Sequence, residues 1–413
     1  MSETNFARRN SQPSENIVGR SVPGGRLGHS IFQGSRRGQK SGDSLMGRRG
    51  HMKNIWAKFI LSGVIVAALG LGSMIIPSAD WSQDKAPRIF SLPELEKPRQ
   101  ICVENGRAYI VDQNGIVVYD INDGHLLKKI GKPGQGPGEF RSLVRLAVFP
   151  DRLVIRDYPK IKFFTLDGKY SNEINEPGGI GFYPFLPVGE NYVGFPMDFK
   201  DDGSLIPPAG RIYDKHFKLK NKFFGEFSPG PPPPPPPGSQ PSGPKTDLSL
   251  IENYEDAIVQ GDRIYVADSR KGLSISVFDK DGNSLYEIHH EIDKVKIPKD
   301  YLKNVIKAKK ASKEWEIYYA NFNLAVPDYF PAFFGFKMDG DRIYVVTPAQ
   351  KGDLYEIIVM NLEGKILDKS FRFPIQPNYE NPAVFSLSYD IEKNQVFWYV
   401  YNDAKESYEL HIR

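Results

Sequence analysis

The sequence predicts an all-β fold in which one four-stranded unit is repeated. A short pattern, a turn followed by Ile, Tyr and Val residues of high strand preference, is clearest at Gly261–Asp268 (GDRIYVAD). The pattern returns, in two cases faintly, at Gly106–Asp112, Asp151–Asp157, Glu190–Pro196, Asp341–Thr347 and Asn394–Val400. Six copies of one strand in a single chain indicate a repeat architecture.

Each copy is the second strand of a predicted four-stranded repeat. In the first repeat the predicted strands are Gln100–Glu104, Arg107–Asp112, Ile116–Ile121 and Leu126–Ile130. Asp-Gly and Glu-Gly corners join the last two strands of most repeats and supply the positive φ that a tight hairpin needs. The third repeat differs, because its corner at Lys215-His216 lacks a glycine. Four antiparallel strands per repeat are the blade of a β-propeller, so six repeats predict a six-bladed ring.

The sixth repeat contains only three predicted strands, Ala383–Tyr389, Gln395–Tyr401 and Ser407–Ile412. The segment before the first repeat, Arg88–Leu95, can supply the missing fourth strand. Pairing the two ends closes the ring and removes the last exposed strand edge. The predicted propeller therefore occupies residues 80–413 and is closed by its N- and C-terminal strands.

The 79 residues before the propeller divide into two predicted parts. Residues 1–54 form a disordered tail with ten Lys/Arg against three Asp/Glu, whereas the rest of the chain carries 44 against 47. Residues 55–79 contain the uncharged apolar run of residues 59–76, which is long enough to span a bilayer. The basic charge therefore belongs to the tail, and the propeller body shows no sign of binding nucleic acid.

Two interpretations of residues 59–76 remain open. The run is a transmembrane anchor if translation starts at Met1, and a cleaved signal peptide if the start is Met52. Lys53 and Lys58 precede the run and Asp80 and Asp84 follow it. Both interpretations place the propeller outside the cytoplasm, either in the periplasm or at the cell surface.

Two insertions interrupt the repeat spacing. Residues 228–250 contain seven consecutive prolines, which predict an extended polyproline loop. Residues 291–331 include Leu302, Val305 and Ile306 at helical spacing after Pro298, which predicts one helix.

The segment GKPGQGPGEF at Gly131–Phe140 is followed by DRLVIRD and then by an Asp-Gly corner. This combination resembles the NHL-type six-bladed β-propellers of exported or membrane-anchored bacterial proteins. The resemblance is strongest in the first two blades. It implies the fold and export, and it implies no particular chemistry.

The candidate site is predicted from the alternating direction of the strands. Connections from strand four to the next strand one, and from strand two to strand three, must emerge on the same face. Both insertions and GKPGQGPGEF are connections of the first kind, so we expect a ligand-binding site on this face. Its candidate residues are three aspartates that end second strands and five aromatic residues that follow the predicted helix: Asp112, Asp157, Asp268, Trp315, Tyr318, Tyr319, Tyr329 and Phe330.

The sequence contains no assignable catalytic or metal-binding motif. The lone Cys102 lies in an apolar strand and is predicted to be a structural thiol, and no cofactor is predicted. The predicted inner strands are overwhelmingly apolar, with Glu104 and Arg145 as the main exceptions. The sequence therefore favours a non-catalytic binding or interaction module for a protein or small-molecule ligand. The alternative is a metal-dependent enzyme of lactonase or lyase type with an axial site.

Overall fold

Six four-stranded antiparallel sheets account for most of the described chain. The computed structural model describes residues 86–176, 185–196, 198–199, 205–206, 208–227, 247–311, 323–377 and 385–413. The predictions for the tail, the apolar run and the seven prolines lie outside these residues.

The first strand in the chain, β1 (Arg88–Leu92), belongs to the last blade. Blade one then consists of β2 (Gln100–Glu104), β3 (Arg107–Asp112), β4 (Gly115–Asp120) and β5 (Leu126–Ile130). Blade two consists of β6 (Leu143–Val148), β7 (Leu153–Asp157), β8 (Lys160–Phe164) and β9 (Tyr170–Asn175). In both blades consecutive strands are neighbours in the sheet, as the repeat predicted.

Blade three is the least regular of the six. It consists of β10 (Leu186–Val188), β11 (Asn191–Gly194), β14 (Ala209–Tyr213) and β15 (Leu219–Glu226). A two-stranded hairpin of β12 (Asp198–Phe199) and β13 (Leu205–Ile206) separates its second and third strands. The pairing of β14 with β15 is broken by two register shifts.

Blades four and five return to the regular order. Between blades three and four lies the short strand β16 (Asp247–Ser249). Blade four consists of β17 (Glu255–Gln260), β18 (Arg263–Asp268), β19 (Leu273–Asp279) and β20 (Ser284–His290). The helix α1 (Lys299–Ala311) and the strand β21 (Asn323–Ala325) follow it. Blade five consists of β22 (Gly335–Asp339), β23 (Arg342–Lys351), β24 (Leu354–Asn361) and β25 (Ile366–Phe373).

Blade six is completed by the two ends of the described chain, as predicted. It contains β26 (Tyr389–Glu392), β27 (Gln395–Asn402) and β28 (Ser407–Ile412), and β1 is its outermost strand. Arg88 pairs with Ile412 and Leu92 with Tyr408 in antiparallel register. The predicted inner strand 383–389 is misplaced, because the strand that pairs with β27 begins only at Tyr389.

The hydrophobic core lies between the faces of neighbouring sheets. One cluster joins blades six and one and includes Leu92 and Leu410 of blade six and Ile101 and Val117 of blade one. Five similar clusters fill the other junctions between blades. Because each sheet buries both faces, the second and third strands are almost continuously apolar.

The predicted helix in residues 291–331 is confirmed as α1. In the described part of the chain no helix is long and apolar enough to cross a membrane. The apolar run at residues 59–76 lies outside that part.

Candidate functional site

The two ends of the ring differ in the connections that they carry. We call the face with the turns between strands three and four the corner face; it includes Asp167-Gly168, Asp281-Gly282 and Glu363-Gly364. We call the opposite face the loop face; it carries Gly131–Phe140 and α1. The predicted residues Asp112, Asp157 and Asp268 end β3, β7 and β18 on the loop face, and the inner strands run from the loop face to the corner face.

The inner strands β2, β6, β10, β17, β22 and β26 surround the axis of the ring. Successive side chains of an inner strand lie on opposite faces of its sheet. Charged residues occupy several positions on the inner strands, namely Glu104, Arg145, Asp256, Lys337, Asp390 and Glu392. The prediction that Glu104 and Arg145 are the main exceptions to an apolar axis is therefore wrong.

Arg145 and Asp256 form an ion pair that joins blades two and four. The Arg145 Nη2 lies 3.0 and 2.9 Å from the two carboxylate oxygens of Asp256. Both side chains are largely buried, with 17% and 7% of their surface exposed. The Tyr254 hydroxyl donates a further hydrogen bond to Asp256 Oδ2 at 3.2 Å. The pair spans the position of blade three, whose inner strand is only three residues long.

Lys337 and Asp390 form a second pair on the axis, between blades five and six. The Lys337 Nζ lies 3.8 Å from Asp390 Oδ1 and 5.2 Å from the centre of the Tyr389 ring. Asp390 Oδ2 accepts a hydrogen bond of 2.7 Å from the backbone N–H of Val103 in blade one. Burial raises the pKa of Asp390, although Lys337 and the backbone donors oppose that shift. The pair therefore connects three blades.

Cys102 lies beside these charged residues. Burial, reinforced by the charge of Asp390, raises the pKa of its thiol to about 12. The thiol is therefore protonated at neutral pH and is a poor nucleophile, because thiolate is the reactive form. Its neighbour Gln100 accepts from the N–H of Leu146 at 2.8 Å and donates to the carbonyl of the same residue at 2.7 Å. This part of the axis joins blades one and two.

Acidic side chains gather at the corner-face end of the axis. Burial raises the pKa of Glu104, and the nearby carboxylates of Glu392, Asp390 and Asp339 raise it further. Glu392 Oε1 accepts a hydrogen bond of 2.8 Å from the N–H of Asn105. The neighbouring carboxylates at this end of the axis therefore disfavour the ionised form of Glu104.

The three predicted aspartates lie at the loop-face ends of their strands, in three different blades. Asp112 Oδ1 accepts hydrogen bonds from the N–H groups of Glu96 and Lys97 at 3.1 and 2.6 Å. Asp157 Oδ1 makes the same contacts with Arg141 and Ser142 at 2.9 and 2.6 Å. In both blades the aspartate holds the segment that leads into strand one.

Two of these aspartates also form ion pairs with basic side chains of the same blade. Asp157 Oδ2 lies 2.7 Å from the Nζ of Lys162, and each side chain is only 2% exposed. Asp268 receives two hydrogen bonds of 2.9 Å from the guanidinium of Arg270 and one of 3.0 Å from its N–H. All three carboxylates are therefore buried and engaged in contacts that stabilise their own blades.

Of the five predicted aromatic residues, Trp315, Tyr318 and Tyr319 lie outside the described residues. Phe330 is half-buried and packs edge-to-face on Tyr301 of α1, with ring centres 5.4 Å apart. Tyr329 is 45% exposed, and its ring lies 5.9 Å from the Nζ of Lys294. The structure therefore brings Phe330 and Tyr329 to the same insertion, one packed and one exposed.

The insertion is attached to the ring by short strands and by the apolar side of α1. The strand β16 pairs in parallel with β21, and Lys296 bridges to Tyr329. Val305 of α1 is 3% exposed, and Tyr301 and Leu302 pack against the core between blades five and six. The loop face thus carries a small additional layer.

Among the described residues, a group of three potential metal ligands lies away from the axis. Asp120, Asp123 and His125 have ligand atoms within 4.8 Å of one another at the corner of blade one. Asp120 Oδ1 and Asp123 Oδ1 accept hydrogen bonds from the N–H groups of Asn122 and His125. These contacts are typical of a turn, and Asp123 and His125 are exposed.

The charged residues on the axis were not predicted from the sequence, because each residue was considered only within its own strand. The predicted inner strands of blades four and five already contained Asp256 and Lys337, whereas Asp390 lies beyond the predicted strand 383–389 of blade six. Their pairing is not local, because Arg145 and Asp256 are separated by 111 residues. The sequence could therefore indicate a charged axis without indicating its ion pairs.

The match to one protein family agrees with the observed ring. Residues 93–226, which cover blades one to three, match a family described as a 6-bladed beta-propeller. An exported protein of Bacteroides fragilis is 14% identical, with 79% of this chain and 94% of that chain covered and a TM-score of 0.46. Hsv2 of Kluyveromyces lactis is 11% identical, with coverages of 80% and 95% and a TM-score of 0.32. No curated protein matches this chain. The six sheets and the family match identify the fold as a six-bladed β-propeller.

Proposed function

We propose that this chain is an exported, NHL-like β-propeller that acts as a non-catalytic binding or interaction module and binds its partner on the loop face. The observation that carries the proposal is the contrast between the axis and the loop face. On the axis, Arg145 and Lys337 each face a carboxylate of the ring, and the thiol of Cys102 is protonated. These groups stabilise contacts between blades.

The loop face, in contrast, carries elements that are not required to form the six-bladed ring. Besides α1 and the pair of β16 and β21, it includes the extended hairpin of β23 and β24, which turns at Gly352. Loops held by a rigid scaffold are where propellers and similar folds place recognition. A propeller with a paired axis and an elaborated loop face is suited to binding at that face.

Site-specific crosslinking in the living cell tests the choice of face. A photo-reactive residue is placed at the exposed loop-face positions Lys351 and Ala404, and matched probes are placed at the exposed corner-face positions Lys169 and Lys365. We expect one discrete adduct from the loop-face probes and none from the corner-face probes. An adduct formed only from the corner face would contradict the proposal.

Export is the second part of the proposal and is supported by the charges around the apolar run at residues 59–76. A reporter enzyme that works only outside the cytoplasm, fused after Arg413, should be active. N-terminal sequencing of the mature protein then separates a cleaved signal from an anchor. Activity of a cytoplasm-dependent reporter at the same position would contradict export.

Metal analysis of the purified full chain separates the binding module from a lactonase-like or lyase-like enzyme. The proposed module should contain less than one equivalent of any divalent ion after dialysis. One tightly held equivalent, lost when Asp256 or Asp390 is replaced, would favour the enzyme.

A further inference from the structure

The exposed side of α1 carries an uninterrupted row of lysines. Residues 291–311 contain seven lysines against three acidic residues, within a body that is slightly acidic overall. Four of these lysines are exposed and spaced by four, four and three residues along the helix: Lys299, Lys303, Lys307 and Lys310. We call this row the lysine stripe.

The lysine stripe lies opposite the side of α1 that packs on the ring. At about 100° per residue its four members fall within an arc of about 80°, while Val305 and Leu302 point away from its centre by more than about 100°. Val305 is buried and Leu302 packs on the core between blades five and six. The stripe is about 16 Å long, and its charges repeat at about 6 Å.

This arrangement of positive charges destabilises α1. Like charges four residues apart destabilise a helix, and Lys299–Lys303 and Lys303–Lys307 are two such pairs. Lys299, at the first position, also opposes the helix dipole. The one acidic residue in α1 is Asp300, whose carboxylate lies 3.5 Å from Lys303. A negatively charged partner would offset this repulsion.

The surroundings of the lysine stripe indicate which class of molecule it can bind. A helix that binds a bilayer turns its apolar side to the lipid, whereas the apolar side of α1 is packed on the ring. A folded protein partner needs apolar or aromatic anchors at the centre of its interface, and the stripe itself contains none. A linear polymer with regularly spaced negative charges requires only the row of ammonium groups.

We propose that the lysine stripe of α1 binds a linear acidic polysaccharide. The inference rests on the proposed function, because the stripe belongs to the loop face and an extracytoplasmic location exposes it to such polymers. Exposed Lys294 and Lys296, in the segment that leads into α1, extend the basic surface toward Tyr329. Binding is electrostatic and weakens as salt concentration rises.

Lysine footprinting on the solubilised full chain tests the inference and separates the stripe from the basic tail. An amine-acylating reagent is applied with and without heparin or polygalacturonate, and the modification of each lysine is read by peptide mass spectrometry. We expect both polymers to lower modification of Lys299, Lys303 and Lys307 at least fivefold at low salt. Exposed corner-face lysines, Lys169, Lys215 and Lys365, should change less than twofold.

A triple variant shows whether the stripe itself holds the polymer. In Lys299→Gln/Lys303→Gln/Lys307→Gln, half-protection of Lys294 and Lys296 should need about tenfold more heparin. The matched variant Lys169→Gln/Lys215→Gln/Lys365→Gln should behave as the wild type. Circular dichroism and thermal melting confirm that both variants are folded.

Three results would overturn the inference. They are no protection of the stripe by either polymer, equal protection of the corner-face lysines, and protection only by vesicles containing 30% phosphatidylglycerol or by double-stranded DNA. If the stripe fails while crosslinks still form at the loop face, the proposed function stands and its partner is of another class. Crosslinks confined to the corner face would overturn the proposed function itself.

Discussion

The corner face and the loop face are built from the same strands but differ in regularity. On the corner face, strands three and four of blades one, two, four and five are joined by a short hairpin with a glycine at positive φ. Blade three uses Phe217 at a φ of 61° instead. The loop face has connections of very different length, from Gly131–Phe140 to the insertion with α1.

The difference shows where the fold restricts the sequence. A corner joins two strands of one sheet, so hairpin geometry dictates its residues. A loop-face connection from strand four to the next strand one links two separate sheets and is restricted only at its ends, where an aspartate such as Asp112 or Asp157 holds the chain. We therefore expect substitutions at the ends of these connections to change the stability of the fold. Substitutions in the additional layer formed by α1, β16 and β21 should instead change binding.

The largest expected effect comes from removing a buried carboxylate at the loop-face end of blade two. Asp157→Ala leaves the Lys162 ammonium, which is 2% exposed, without its closest carboxylate. Removing one partner of a buried ion pair typically costs about 3–5 kcal/mol. We expect a loss of that size in the free energy of unfolding, measured in urea.

The matched corner variant in the same blade is Asp167→Ala. The Asp167 side chain is exposed, so we expect a much smaller loss in the free energy of unfolding than for Asp157→Ala. Equal losses for the two aspartates would remove the distinction between the two faces.

A smaller effect is expected from a corner glycine of blade five. In Gly364→Ala the residue keeps a φ of 86°, and the new Cβ would lie 2.6 Å from Ile288 Cγ2 of blade four. Positive φ alone costs about 1–2 kcal/mol for an L-residue, and the clash adds to it, so we expect a loss of about 2–3 kcal/mol.

Gly340→Ala is the control, because this glycine has a φ of 57° and no atom within 4 Å of the new Cβ. Its loss should be about 1 kcal/mol, measured by the same urea titration. A larger loss of unfolding free energy for Gly340→Ala than for Gly364→Ala would show that contact with the neighbouring blade does not determine which residue the corner accepts.

The added layer on the loop face should respond differently at its two neighbouring aromatic residues. Phe330→Ala removes a half-buried ring that packs on Tyr301, so we expect a loss of about 1–2 kcal/mol. Tyr329→Ala changes an exposed ring and should alter stability by less than about 0.5 kcal/mol. Thermal melting of both variants checks this, and a large loss for Tyr329→Ala would assign that ring to packing.

The smallest expected effect depends on pH and concerns the corner-face end of the axis. The raised pKa of Glu104 means that its ionised form is less favourable in the folded chain than in the unfolded chain, so ionisation of this carboxyl destabilises the fold as pH rises. Glu104→Gln should therefore raise the melting temperature at pH 7–8. The gain should vanish below the ordinary glutamate pKa of 4.5. A gain that is independent of pH would contradict this explanation.

The repeated fold could be predicted because its signals are local. An Asp-Gly corner and an alternating strand lie within ten residues, and the pairing of Arg88–Leu92 with β28 followed from counting strands. The ion pairs on the axis could not be predicted in the same way, since partners such as Lys337 and Asp390 belong to different blades. The three predicted aspartates end second strands, as expected, but their backbone partners depend on loop conformations that no sequence pattern specifies. Phe330 shows the same limit, because only the packing of α1 distinguishes it from Tyr329.

Closure of blade six by both ends of the chain has a consequence for biosynthesis. The strand β1 emerges early from the ribosome, but its partner β28 lies about 300 residues later. At roughly 5–20 residues per second, β1 waits roughly 15–60 s with an unpaired edge. During that interval the finished blades form an open arc, and we expect chaperones that shield strand edges to determine how much of the nascent chain reaches the closed ring.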